Sequence, residues 1–313
     1  MSYKNDFHWQ GRVDPEDGLE GKRWHQAIND SADYCDAALL GFSCDIGVAN
    51  NKGRVGAAKG PDTIRQALAN MAWHHKAHVH DSGTVTAAQN LVDAQQEFAD
   101  QVTARVNRNE FVIGLGGGHE IGWASYLGLY QARINKRIGI INIDAHFDLR
   151  KPSPEPSSGT PFWQVSQHCQ QNQQNFHYTC LGVAPSANTV ALFKRAEALG
   201  VAYIQDLDCH MENVIPQLTK FLEQIDVLYL TICLDAFPAS AAPGVSAPSV
   251  IGVEVKFVLE LLSWLAEQQH YFGYYWAIAD IAEMNPTYDI DNRTAKLAAR
   301  LVDEIIGVKF RHF

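Results

Sequence analysis

Four short segments of the chain are almost continuously apolar, with few polar residues between the apolar ones. Strands that helices cover on both faces have this pattern, whereas a strand with one face in water alternates apolar and polar positions. The pattern therefore predicts four buried parallel strands, at residues 111–116, 137–144, 227–235 and 275–283.

Between these segments apolar residues recur at intervals of three and four, which is the period of one helix face. This pattern follows Gly122 and Ala191, and it recurs in the closing segment from Thr294. Strands that alternate with helices are typical of a parallel sheet. A Pro/Ser-rich loop is predicted at 151–161, but no repeat or distinct linker marks a boundary, so we predict one α/β domain over residues 1–313.

Composition narrows the function classes. With 46% hydrophobic and 19% charged residues the chain is globular, and its net charge of −10 disfavours nucleic acid as a partner. The six cysteines form no CxxC pair, which favours a reducing cytoplasm over a disulfide framework. The start of the chain lacks an apolar export signal, and the longest apolar run, from Phe257, is interrupted by Glu260. We therefore expect a cytoplasmic protein with no membrane partner.

The ligand sites of open α/β sheets lie beyond the carboxyl ends of their strands. From the last residue of the second apolar segment onward, Asp144, His146 and Asp148 occupy alternate positions. In an extended chain such residues point to the same side, so two carboxylates and an imidazole would converge. This pattern predicts a group of metal ligands and not merely a polar helix cap.

The other strand ends carry similar side chains. GLGGGHE places His119 and Glu120 after three glycines, but it lacks the spacing of a phosphate or dinucleotide loop. Asp235 ends the third strand, where an unpaired buried carboxylate would be costly, and Asp280 and Glu283 end the fourth. Oxygen and nitrogen ligands of this kind suit hard divalent cations such as Mn²⁺.

These motifs resemble those of the ureohydrolases, the arginase and agmatinase superfamily, and most closely those of its members that act on formimidoylglutamate. The resemblance covers nearly the whole chain, through the segments GRVDPEDGLEGKRWHQ, GFSCDIGVANNKGRVGAAKGPDTIR, GGGHE, DAHFD, APGVSAP and IAEMNP. It implies a three-layer αβα sandwich with a mostly parallel eight-stranded sheet. It also implies two Mn²⁺ ions per subunit, whose bridging hydroxide hydrolyses a carbon–nitrogen bond.

The resemblance also implies roles for individual residues. It assigns one ion to His119 and Asp148, the other to His146 and Asp235, and both ions to Asp144. Asp148 would in addition pass a proton to the departing amine. Glu283 would hold the formimidoyl nitrogens.

Arg150 stands where arginase-like relatives have an Asn, and Phe162 where they have a His. Arg150 could clamp a carboxylate bidentately and would repel a cationic substrate such as agmatine. Ser158, in the same loop, is the other candidate for substrate binding. We therefore expect hydrolysis of the small molecule N-formimidoyl-L-glutamate to L-glutamate and formamide.

Cys233 departs from the family pattern, which has a metal-bridging Asp at this position. A thiolate could bind metal, although it is a softer ligand than a carboxylate, or Cys233 could be an unligated thiol. This leaves open a silent homologue without metal, besides an agmatinase- or guanidinobutyrase-like enzyme. The role of Arg54 and the existence of a homo-oligomer also stay open.

The histidine-rich segment WHHKAHVH (73–80) has the spacing of an adventitious metal site. It has no acidic residue nearby in the sequence that could act as a further ligand. We therefore predict that this segment is a solvated surface.

Overall fold

The computed structural model describes residues 3–4, 6–28, 35–87 and 90–311. Within them the strands are β1 Tyr3–Lys4, β2 Ala37–Ser43, β3 Val79–Thr86, β4 Phe111–Gly116, β5 Ile138–Ile143, β6 His177–Val183, β7 Ala202–Gln205, β8 Val227–Cys233 and β9 Tyr275–Ala282. The α-helices are α1 Trp24–Ala27, α2 Ile46–Asn50, α3 Gly60–Ala69, α4 Leu91–Asn107, α5 Ile121–Ala132, α6 Pro161–Gln171, α7 Val190–Ala198, α8 Met211–Leu222, α9 Val255–Phe272 and α10 Arg293–Lys309. The four predicted strands and the three predicted helices are confirmed.

The strands form one sheet in the order β1-β3-β2-β4-β9-β8-β5-β6-β7. The eight strands from β2 to β9 all run parallel, which confirms the predicted eight-stranded sheet. A ninth strand, β1, pairs antiparallel with β3 at one edge. Sequence could not reveal β1, because two residues are too few to show a periodic pattern.

Alternate residues of each central strand enter two different cores, since successive side chains point to opposite faces of a sheet. In β4, Phe111 and Ile113 pack into the core that contains α3, α8, α9 and α10 residues. Val112 of the same strand packs with residues of α4, α5, α6 and α7 on the other face. The result is the predicted three-layer αβα sandwich, whose burial on both faces explains the continuous apolar segments.

The topology positions the site. Strands β4, β9, β8 and β5 are consecutive neighbours in the sheet and run in the same direction. Their carboxyl ends, which carry the candidate ligands, therefore meet along one edge.

Among the described residues, no helix has both the length and the apolar composition needed to cross a membrane. That the chain forms a single domain stays a prediction.

The prediction for the histidine-rich segment is partly wrong. His74 and His78 are exposed, but His80 lies buried in β3. His75 is half-buried against Trp73, and its Nε2 lies 2.7 Å from Asp303 Oδ1. The acidic partner was missed because α10, which carries Asp303, is distant in sequence and adjacent only in the fold.

Candidate metal centre and substrate cleft

The loop after β5 brings its three candidate ligands together by turning, and not by continuing the strand. β5 ends at Ile143, the main-chain N–H of His146 donates to Asp144 Oδ1 at 2.7 Å, and Asp148 has a left-handed φ of 48°. The prediction of an extended chain through Asp148 is therefore wrong. The predicted convergence of the side chains is confirmed.

The glycines before His119 allow close contact with neighbouring protein atoms. A Cβ atom on Gly117 would lie 1.9 Å from the carbonyl oxygen of Cys44, and one on Gly118 would lie 2.0 Å from Glu120 Oε2. Only glycine fits such spacing. The segment that links β4 to α5 can thus lie tight against the residues after β2, with His119 buried at the sheet edge.

His119 lies at the centre of a first group of candidate ligands. Its Nδ1 atom is 2.9 Å from Asp144 Oδ2 and 2.9 Å from Asp148 Oδ2. Cys233, the last residue of β8, belongs to the same group, because ligand atoms of His119, Asp144 and Cys233 all lie within 4.8 Å of one another.

A second group shares Asp144 with the first. His146 Nδ1 lies 3.4 Å from Asp144 Oδ1 and 3.2 Å from Asp235 Oδ2. The ligand atoms of these three residues also lie within 4.8 Å of one another. The structure therefore brings five of the six predicted metal ligands into two groups that share Asp144, and the sixth, Asp148, contacts His119 of the first group.

Several buried polar atoms at these groups have no hydrogen-bond partner among the described residues. They are His119 Nδ1, Asp235 Oδ1 and Glu283 Oε2. His119 Nδ1 lies 2.9 Å from oxygens of Asp144 and Asp148, but the angles of these two contacts are not those of a hydrogen bond. Unsatisfied buried polar atoms are costly, and divalent cations would satisfy these donors. The residues present fit a pair of metal ions, with Cys233 as the one soft ligand.

Burial and the close spacing of acidic groups shift the pKa values of the residues in the site. Burial, and then the charge of Asp144, raise the pKa of Asp148 to about 6. Burial and the charge of Glu120 raise the pKa of Glu283 to about 8. Burial lowers the pKa of His119, but the carboxylates of Asp144 and Asp148 outweigh it and hold that pKa well above its usual value. Such strongly perturbed groups gathered in one cleft are typical of a functional site.

The negative charges of the neighbouring carboxylates also affect the thiol of Cys233. Burial and then the neighbouring carboxylates, that of Asp144 foremost, raise the pKa of its thiol well above the usual value. Its side chain is only 1% exposed, so water cannot compensate for these charges. Without a cation the thiol therefore stays protonated.

Residues behind His119 fix its orientation. His119 Nε2 lies 3.0 Å from Thr231 Oγ1, and the ring makes an edge contact with Phe162 at 5.5 Å between centroids. With Nε2 hydrogen-bonded to Thr231, Nδ1 is the ring atom directed at the acidic residues. Sequence reasoning missed Thr231, which lies on β8 two residues before Cys233.

Two acidic residues that the sequence placed among the strand-end candidates lie apart from the ligand groups. Asp280 lies within β9, where its Oδ2 accepts hydrogen bonds at 2.6 Å from Ser125 and Tyr229. Glu120 Oε1 accepts from the main-chain N–H of Gly47 at 2.8 Å, at the start of α2. These two carboxylates therefore accept hydrogen bonds from protein donors, and neither belongs to the two ligand groups.

A cleft of about 310 Å³ opens onto the ligand groups. Its lining includes the buried side chains of His119, Cys233, Asp235, Glu283 and Ser158, together with His146 and Asp148. Arg150, which is exposed, lines the cleft with Lys52 and Arg54. The cleft thus combines buried acidic side chains with three cationic side chains, of which sequence reasoning assigned only Arg150.

Arg54 is held in place by the loop that follows β8. Its Nε donates to the carbonyl of Ser246 at 2.9 Å, its Nη2 donates to the carbonyl of Val245, and its guanidinium lies 4.1 Å from the centre of the Tyr288 ring. These contacts join three segments that are far apart in sequence. No local pattern could have indicated them.

Comparison with known proteins gives consistent matches. The sequence model of the Arginase family matches residues 35–307. The formimidoylglutamase of Vibrio vulnificus strain CMCP6 is 47% identical over 322 residues, which cover 96% of this chain and 94% of the relative. The structure of the formimidoylglutamase from Bacillus subtilis superposes with a TM-score of 0.80 at 22% identity, covering 92% of this chain and 91% of that one. The structure of Trypanosoma cruzi formiminoglutamase with Mn²⁺ superposes with a TM-score of 0.79 at 20% identity, covering 88% and 95%. At these identities the structural likeness shows a shared fold.

Proposed function

The chain belongs to the arginase family, and we propose that it hydrolyses N-formimidoyl-L-glutamate to L-glutamate and formamide in histidine degradation. The observation that carries this proposal is the charge of the cleft, whose lining combines buried acidic groups with three cationic side chains that are exposed or half-buried. The substrate has matching chemistry, since it carries a cationic formimidoyl group at one end and two carboxylates at the other.

The two ligand groups would hold two manganese ions per chain. The first would be held by His119, Asp148 and Cys233, the second by His146 and Asp235, and Asp144 would contact both. When bound, such ions lower the pKa of a coordinated water molecule and thereby supply a nucleophile at neutral pH. The unpartnered atoms of the site and its predominantly hard donors support this assignment.

Glu283 would orient the reacting end of the substrate. Its Oε1 accepts from the main-chain N–H of His119 at 2.9 Å, which fixes the side chain, and its Oε2 is buried without a partner. A formimidoyl group offers N–H donors and a positive charge to that oxygen. The resulting charge-assisted hydrogen bond would place the formimidoyl carbon beside the metal centre.

Asp148 would move the proton that the departing amine requires. Its carboxyl group lines the cleft, and its Oδ2 lies 2.9 Å from His119 Nδ1, so it stands beside the position of the first ion and faces a ligand bound in the cleft. Transfer to the α-nitrogen of glutamate would let the carbon–nitrogen bond break without forming an amide anion.

Arg150, Lys52 and Arg54 would bind the glutamate carboxylates. Arg54 is already oriented by two carbonyl groups and by Tyr288, so it loses little freedom when it binds. Ser158, whose main-chain N–H is fixed by the carbonyl of Gly47 at 3.0 Å, would add a hydroxyl contact. Agmatine and arginine present a cation or a single carboxylate to these residues and would bind less well.

We further propose that the protein acts in the cytoplasm, where its six free cysteines would stay reduced.

The substrate assignment is tested by measuring kcat/KM for formimidoylglutamate, arginine, agmatine and 4-guanidinobutyrate in the presence of Mn²⁺. Formimidoylglutamate should exceed the others by at least ~10²-fold, since a site built around paired charges rejects a ligand that leaves them unpaired. Faster turnover of any guanidine compound would refute the proposed substrate.

A further inference from the structure

Cys233 introduces a chemical difference between the two ligand groups. Its thiol belongs to the group of His119 and Asp144, whereas the group of His146, Asp144 and Asp235 contains only imidazole and carboxylate ligands. The residue ends β8, so a buried parallel strand fixes its backbone, and its side chain is 1% exposed.

We propose that Cys233 binds as a thiolate to the metal ion held by His119 and Asp148, so that this position prefers softer divalent cations than the other one. The inference rests on the proposed function, because it concerns the same metal centre. On binding, the sulfur–hydrogen bond breaks, the electron pair stays on sulfur to form the metal bond, and the proton leaves to solvent. No oxidant or reductant is required.

The preference follows from the donor atoms. Thiolate ligands favour Zn²⁺, Co²⁺ or Fe²⁺ over Mn²⁺ more strongly than carboxylate ligands do. His119 contributes a further borderline nitrogen ligand through Nδ1, an unpartnered and buried atom. The position at His146 and Asp235 lacks a thiol and keeps the preference of a nitrogen and oxygen site. Mixed occupancy by two different metals is the expected state when both kinds are supplied.

Two other buried cysteines, Cys180 and Cys169, have contacts that differ from those of Cys233. The Cys180 sulfur lies 3.8 Å from the carbonyl oxygen of Asp144 and 3.4 Å from that of His146, so it faces main chain and not ligand atoms. Cys169 lies on α6, and its sulfur is 3.3 Å from the hydroxyl oxygen of Tyr126 on α5. Cys169 therefore provides a matched control, a buried thiol outside both ligand groups.

The first experiment uses Co²⁺ alone as the probe on the full chain. A thiolate bound to Co²⁺ gives a charge-transfer band in the near ultraviolet, which carboxylate and imidazole ligands do not give. The wild type and Cys169→Ser should both show the band, and Cys233→Ser should lose it although five cysteines remain. Absence of the band from cobalt-loaded wild type, or its persistence in Cys233→Ser, would overturn the inference.

A second measurement does not depend on spectroscopy or on turnover. Competition titrations give the ratio of the dissociation constants for Zn²⁺ and Mn²⁺, and Cys233→Asp should shift this ratio toward Mn²⁺ by at least ~10-fold. An unchanged ratio in a folded Cys233→Asp protein would contradict the inference. Formamide release by the wild type with Mn²⁺ separates the two questions, because the proposed function stands if activity is present and the cobalt band is absent.

Discussion

Replacement of Glu283 by Gln should abolish most of the activity and at the same time stabilise the metal-free protein. Gln keeps an oxygen that can accept from the main-chain N–H of His119, but it removes the negative charge offered to the substrate. Loss of a buried charge-assisted contact costs about 3–4 kcal/mol of transition-state stabilisation, or roughly 10²- to 10³-fold in kcat/KM.

The stability change has the opposite sign. In the folded protein burial, and then the charges of Glu120 and Asp235, raise the pKa of Glu283 from 4.5 to about 8. A carboxyl group whose folded pKa exceeds its unfolded pKa destabilises the fold as the pH rises from the lower value to the higher one. At pH 7 this effect amounts to about 3 kcal/mol, which Gln removes. For a chain of 313 residues the melting temperature should rise by about 4–5 °C.

Two assays on the same protein preparations check both signs. Formamide release with Mn²⁺ measures kcat/KM, and thermal melting after chelation measures stability at pH 5 and at pH 8. The Tm difference between Glu283→Gln and wild type should be larger at pH 8. The exposed Glu267 on α9 provides the control, and Glu267→Gln should change neither quantity. A lower Tm for Glu283→Gln, or near-normal kcat/KM, would show that this carboxylate does not have the assigned role.

Three further predictions concern other parts of the site. Alanine replacements in the two ligand groups should abolish Mn²⁺ binding, measured by calorimetry, and formamide release, while circular dichroism stays native; they are His119→Ala, Asp144→Ala and His146→Ala. Arg150→Ala should lower kcat/KM for formimidoylglutamate by ~30-fold or more, mainly through KM, whereas Lys151→Ala, whose ammonium lies over the Trp163 ring, should not. Asp280→Asn should weaken Mn²⁺ binding by ~10- to 100-fold. Asp280 accepts a hydrogen bond from the Tyr229 hydroxyl beside Thr231, and Thr231 in turn orients His119. Unchanged Mn²⁺ affinity would contradict this prediction.

The features that sequence predicted are those with a local signal. β4, β5, β8 and β9 are recognisable because burial on both faces leaves continuous apolar segments, and parallel strands bring their carboxyl ends to one edge. Asp144 and Asp235 could be proposed as ligands because each is the last residue of such a segment. The family resemblance added the pairing of the ligands into two groups.

The features that sequence missed depend on contacts between distant segments. Thr231 contacts His119 across 112 residues, and Arg54 is oriented by carbonyl groups 191 and 192 residues away. The left-handed turn at Asp148 could not be predicted either, because Asp at that position has no local signal comparable to glycine. Asp280 was assigned to the strand end because composition does not show that Ser125 and Tyr229 already supply its hydrogen bonds.

The most direct test of the proposed mechanism is formamide release from N-formimidoyl-L-glutamate by the chelated protein, before and after stepwise addition of Mn²⁺. We predict no release without metal, and release that rises with added Mn²⁺ and saturates at two equivalents per chain, with one glutamate formed for each formamide. Full activity in the chelated protein, or no formamide at any Mn²⁺ concentration, would contradict the assignment of this cleft as a two-metal hydrolase site.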